Sequence, residues 1–279
     1  MSRRQYFRPV SVYMGLSVLL LSFILVMGCA PKQGGVTPGP APVVGKDAVQ
    51  ALDQAEALFK AAGGLDKPAP GVLSAASRQK YQEAVDLIEK DVLGKLQRDD
   101  LKMNAYGILA ISQWRLGNYA RATEAGSKGR LLYESKNLST NRREYGMCLI
   151  VGGLCVASET YQKFLNLQAL ATQEQRRDFA AHLQQAMQSI DVINTKLDPR
   201  DDIVVYANQW QLAIVDEAVR IWTSEGLARE VFKPEVCRWL DRAEPVFAKF
   251  PASPYPQENI TLTYENNFER RRRAYCQGQ

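Results

Sequence analysis

After residue 46 the apolar residues of this chain recur every three to four positions, and no stretch alternates with a period of two. That regularity constrains the fold more than any other feature, because three-to-four spacing lays a stripe along one helix face while a strand needs alternation. In "DAVQALDQAEALFKAAGG" the stripe is Val49, Leu52, Ala55, Leu58 and Phe59, and Gly63-Gly64 supplies a stop. "SAASRQKYQEAVDLIEKDVLG" repeats it with Tyr81, Ala84, Val85, Leu87 and Ile88. The same reading predicts helices over 99–116, 118–135, 140–167, 172–197, 202–224 and 234–250, with a short basic one over 264–276. The expected class is all-α over residues 46–279. "MCLIVGGLCVA", Met147 to Ala157, is an apolar run of about half the length a membrane-crossing helix needs, which suits a core helix whose glycines mark close contacts.

The most informative pair is "AYGILAISQWRLGNYARATEAGSKGRLL", Ala105 to Leu132. Tyr106 and Leu109 stand on one helix with the small Ala110. Leu116-Gly117 makes a tight turn, Tyr119 packs back across it, and Ala122 faces Ala110. The pair resembles the tetratricopeptide repeat, a unit of about 34 residues built from two antiparallel helices. Gly126 and Gly129 depart from that pattern, standing where larger residues are usual, so the second helix is expected to pack thinly. Lys80 to Ile88 carries a related Tyr-x-x-Ala, and Leu149 to Leu165 holds Gly152, Gly153 and Tyr161 in a similar arrangement. The resemblance implies antiparallel pairs stacked as a right-handed superhelix; an irregular helical bundle is the competing architecture.

Ahead of this domain stand three segments of different character. Ser2 to Tyr13 carries Arg3, Arg4 and Arg8 and no acidic residue, Met14 to Met27 is apolar and shorter than a bilayer requires, and Cys29 follows Gly28. A basic leader, a short apolar core and a small residue at the break mark an export signal over residues 1–28. Val26-Met27-Gly28-Cys29 resembles the bacterial lipobox, which implies cleavage before Cys29 and attachment of acyl chains, palmitate among them, to that cysteine. Two or three such chains anchor stably, each buried methylene contributing about 0.8 kcal/mol. With Ala30 next to the cysteine, the resemblance implies an outer-membrane lipoprotein facing the periplasm where the cell has two membranes. "SRRQYFR" is similar to the twin-arginine export motif, and both export routes stay open. Residues 29–45, rich in Pro and Gly, read as a tether.

Of the formal charge of +5, three units belong to the leader arginines, so +2 remains on the mature chain and gives no argument for nucleic acid. Four cysteines follow Cys29. Cys148 and Cys155 lie seven apart on one helix, about 10.5 Å along the axis, too far for a disulfide. Cys237 with Cys276 can pair in an exported protein, and buried free thiols are the alternative. His182 is the only histidine, which excludes paired-imidazole metal sites, and no metal or cofactor is expected. Ser77 and Lys80 have Ser-x-x-Lys spacing without the partner motif such enzymes carry. No nucleophile elbow or phosphate loop is present.

No enzyme reading therefore has residues attached, and the expected role is non-enzymatic. The leading expectation is a lipid-anchored, periplasmic adaptor binding an envelope protein or peptide in envelope assembly or trans-envelope machinery. Tyr106, Gln113, Trp114 and Arg115 are the candidate contacts, with a simple core role as the alternative for Tyr106 and Trp114. The alternative is a small-molecule-binding lipoprotein serving a solute transporter. Arg270, Arg271, Arg272 and Arg273 form a candidate surface for anionic groups, with a solvated helix face as the plain alternative.

Overall fold

A computed structural model describes residues 46–65, 73–167, 170–224, 229–250 and 264–276. They are all-α, with helices packed on one another and no strand among them. The helices are α1 Lys46–Leu65, α2 Ala75–Leu87, α3 Asp99–Arg115, α4 Tyr119–Lys136, α5 Arg142–Leu167, α6 Gln173–Asp191, α7 Ile193–Lys196, α8 Asp202–Thr223, α9 Arg229–Asp241, α10 Ala243–Phe247 and α11 Arg270–Cys276. The lipobox residues Val26, Met27, Gly28 and Cys29, and the tether, lie outside the described residues.

The helix starts follow local chemistry. Ser74 caps α2 by accepting from the Ser77 amide at 3.0 Å, and Thr172 with Gln175 forms a reciprocal capping box on α6. The α3–α4 turn needs Gly117, whose φ of 85° a side chain would strain. Three boundaries differ from the sequence reading. α1 continues through Gly63-Gly64 to Leu65; α6 breaks at Val192 before the short α7; and α9 begins five residues ahead of Pro234, which sits inside it. α2 runs on to Val92 through a wider π-type turn, which keeps Ile88 and Val92 buried.

The packing is sequential. α1 pairs with α2, α3 with α4, and α5 with α6, while α8 pairs with α9. Both helices of the first pair lie on α3, both of the second on α5, and both of the third on α8. α3 and α5 are thus covered on several sides, and from Met103 to Trp114 almost every α3 residue is buried. Ala110 and Ala122 are both fully buried, as small residues between close backbones should be.

Gly126 and Gly129 correct one expectation: α4 does not pack thinly. A Cβ at Gly129 would stand 2.5 Å from Cys148 Sγ and 3.0 Å from Tyr106 Cβ, so the missing side chains let α4 close on α3 and α5. Of the α5 glycines, Gly153 is a close contact, with the Ala186 carbonyl 2.7 Å from where its Cβ would be, whereas Gly152 faces open space. Tyr119 also differs from expectation, reaching forward to Ser158 and Gln162 of α5.

Two buried polar groups join elements far apart in sequence. Ser77 Oγ donates to the Ala62 carbonyl at 3.0 Å, tying α2 to α1, a packing role for the serine of the Ser-x-x-Lys spacing. Arg176, fully buried, donates from Nε to the Ala171 carbonyl at 3.0 Å and from Nη1 to the Ile221 carbonyl and the Ser224 hydroxyl. A cation there meets the carbonyl end of α8, where the helix dipole favours it. Cys148 and Cys155 are buried free thiols, and burial pushes both up, Cys155 to about 11, which makes them poor nucleophiles. Cys237 and Cys276 form a disulfide with Cα atoms 5.6 Å apart.

Candidate functional site

A groove made of two separate depressions runs from α2 and the α3–α4 turn to the space between the α2 extension and α4. Its two depressions measure about 490 and 230 Å³. The larger lies between α2, at Arg78, Gln82 and Asp86, and the α3–α4 turn at Leu116 and Asn118. The smaller is floored by Tyr106, Leu109 and Gln113 of α3 and walled by Glu89 on one side and Arg121, Glu124 and Lys128 on the other. A polar bridge links the two: Asn118 donates to Gln113 Oε1 at 2.7 Å, and Gln113 donates in turn to Glu89 at 3.2 Å.

The walls differ in charge. On α2 and its extension Glu83, Asp86 and Glu89 outnumber Arg78, while α4 presents Arg121 and Lys128 beside Glu124. Glu124 and Lys128 form an exposed pair at 2.6 Å; the hydrogen bond and the charge of Lys128 hold the Glu124 carboxyl below its usual range.

The four residues singled out as contacts end in different places. Tyr106 is half-buried on the groove floor. Gln113, 1% exposed, serves the internal bridge, and Trp114 is 3% exposed. Trp114 offers no surface to a partner, which corrects its assignment as a groove contact, while Gln113 lies in the floor with its amide spent on the bridge. The Trp114 indole N–H donates to Ser158 Oγ on α5 at 3.0 Å, and its ring meets the Trp210 ring of α8 edge-on at 5.1 Å. Arg115 stays partly exposed, its guanidinium 5.2 Å from the centre of the Trp114 ring. Where stacked helix pairs would present the inner face of α3 to a ligand, Trp114 reaches across to α8 and closes it.

The arginine run is likewise divided. Arg271 pairs with Asp216 of α8, and Arg272 pairs with Asp241 at 3.0 Å and with Glu244 and Glu269 at 3.5 Å. Only Arg270 and Arg273 are exposed, so the expected four-residue cationic patch is reduced to two.

Sequence reasoning missed the acidic pair that Arg271 covers. Asp216 and Glu217 are 6% and 7% exposed, and Arg220 lies 3.0 Å from the first and 3.8 Å from the second. Burial pushes the Glu217 carboxyl up to about 7, against the opposing pull of Arg220, and Tyr161 of α5 lies beside it. Successive acidic residues in mid-helix with Arg220 three and four positions on were the available signal, but they read equally well as an exposed ion-paired face.

His182 is exposed, with Nδ1 2.9 Å from the Asp178 carbonyl. Among the described residues no group of three or more His, Cys, Asp or Glu is placed to hold a metal, and no helix is long and apolar enough to cross a membrane. In comparisons with family models, with curated proteins and with solved structures, nothing matches the chain.

Proposed function

We propose that this chain is a non-enzymatic, protein-binding adaptor held at an envelope membrane by lipid on Cys29, its helix pairs stacked in the manner of tetratricopeptide repeats. The observation that carries the binding role is the pair of open depressions beside α2 and α4, the smaller floored by Tyr106 and Leu109, with walls of opposite charge balance. A partner segment lying there meets apolar surface below and charged groups on both sides, an arrangement that fixes register more than it supplies raw affinity. The covering of each pair's first helix by the pair before it is the contact pattern that favours stacked repeats over an irregular bundle. The lipobox-like Val26-Met27-Gly28-Cys29 supports the anchor and the tether supports reach from the membrane.

The test is cross-linking of the full chain in its native membranes, followed by mass spectrometry, in parallel with Arg121→Glu/Lys128→Glu and Cys29→Ser chains. A stoichiometric protein partner lost with the α4 charge reversals supports the groove as its docking face. Capture unaffected by those reversals removes the groove from the account. Cys29→Ser is expected to move the protein from the membrane fraction to the soluble fraction; retention at the membrane rejects the lipid anchor.

A further inference from the structure

The C-terminal turns are attached in two distinct ways. Tyr264 and Phe268 are buried; Tyr264 stacks on Phe247 of α10 with ring centres 4.3 Å apart and lies 5.9 Å from the Phe268 ring. α11, which follows directly, contains no buried residue. It is held by the Cys237–Cys276 disulfide to α9, by an edge contact of Tyr275 with Phe232 at 6.1 Å, and by the pairs that Arg271 and Arg272 make. α11 continues the helical run of residues 264–269, the Arg270 amide bonding to the Glu265 carbonyl across a π-type turn; beyond that anchored part, seven residues are too few for a helix to persist by themselves. The Arg272 pairs are solvent-exposed, with Asp241 and Glu244 side chains 57% and 65% accessible, and such pairs hold weakly.

We propose that α11 is a redox-set strap, closed by the Cys237–Cys276 disulfide over the Asp216–Glu217 pair of α8 and released, hinging after Phe268, when a dithiol reduces that disulfide. Release leaves no charge stranded, because Asp216 keeps Arg220 at 3.0 Å when Arg271 withdraws. It withdraws the Arg271 charge from beside Glu217, one of whose carboxylate oxygens is buried without a hydrogen-bond partner, and leaves a place for another donor group at Asp216. That place matches a guanidinium or ammonium group, since a guanidinium is what fills it in the closed form.

The reaction balances as dithiol exchange. A thiolate of the reductant attacks one cystine sulfur and forms a mixed disulfide; its second thiol then displaces the protein sulfur. Cys237 and Cys276 leave as thiols, having gained two electrons and two protons, and the reductant leaves as its cyclic disulfide. Cys237 and Cys276 are both partly exposed and can be reached. Cys148 and Cys155 are buried with their thiols pushed up, so the exchange stays on one pair.

Hydrogen–deuterium exchange on the full chain in detergent, oxidised and then reduced with dithiothreitol, tests the strap. Amides of residues 270–276 should exchange about tenfold faster or more after reduction, while 264–268 and the middle of α8 keep their protection. Cys276→Ser should reproduce the reduced pattern without reductant, and trypsin should then cut at Arg270 to Arg273 in that variant and spare the oxidised protein. Unchanged exchange over 270–276 overturns the proposal and leaves the disulfide a simple staple. Faster exchange spreading through α8 and α9 overturns it too, because the disulfide then holds the last helix pair itself.

Discussion

The middle of the molecule and its C-terminal end are stabilised by different means. α3 and α5 are enclosed by their neighbours, and their interiors are filled by residues such as Met103, Ile150 and Leu154, each 0% exposed. α11 has no fully buried residue and is tied by a cystine, by ion pairs and by the partly buried Tyr275 against Phe232. Burial is cooperative and not easily reversed one contact at a time, whereas ties of the second kind can be undone singly by a reductant or by screening. The centre therefore sets the fold, and the end is the region that can change state without unfolding it.

Substitutions at the centre should break this contrast most forcefully. Leu154→Ala leaves a cavity in the buried middle of α5 and is expected to cost about 2–5 kcal/mol in urea unfolding. A loss below about 1 kcal/mol would mean that the centre is no better packed than the end. Glu217, at the border of the two regions, sharpens the comparison through pH. Burial raises its folded-state pKa to about 7 from 4.5, so the folded chain holds this proton more tightly than the unfolded one. The contribution is fully present below the unfolded value and is lost as pH rises through 4.5 towards 7. At about 1.4 kcal/mol per unit, the loss is on the order of 3–4 kcal/mol. Glu217→Gln should flatten stability over that window and leave the variant more stable than the parent at pH 8; identical pH profiles would refute this.

How much of this was legible in the sequence follows from the range of the interactions. The helices were, because stripes such as Val49, Leu52, Ala55 and Phe59 are local. The Gly117 turn and the inability of Cys148 to pair with Cys155 were local as well. What escaped depends on residues far away in the chain. Gln113 reads as exposed until Glu89, 24 positions earlier, is placed beside it, and Trp114 until Ser158, 44 positions later, accepts from its indole. The arginine run reads as a free patch until Asp216, 55 positions before Arg271, is folded against it. Charge alone could not separate a paired guanidinium from a free one. The glycines of α4 misled for a related reason: without the positions of Val151 and Cys148, missing side chains look like thin packing rather than close approach.

Two adjacent glycines of α5 test how far the centre is sealed. At Gly153 a Cβ would fall 2.6 Å from Ile190 Cγ1 and 2.7 Å from the Ala186 carbonyl, a backbone atom that cannot swing aside. Gly153→Ala should therefore cost about 1–3 kcal/mol by pushing α6 off α5. At Gly152 nothing stands within 4 Å of the new atom. There the gain in helix propensity is unopposed, and Gly152→Ala should stabilise by about 0.5–1 kcal/mol, read as a shift of the urea midpoint at unchanged slope. Opposite signs at neighbouring positions would show that α5 is buried on the side of α6 and open one residue earlier. Equal losses at both would mean that the centre closes around α5 completely, and the contrast with the C-terminal end would then be sharper than the present geometry gives.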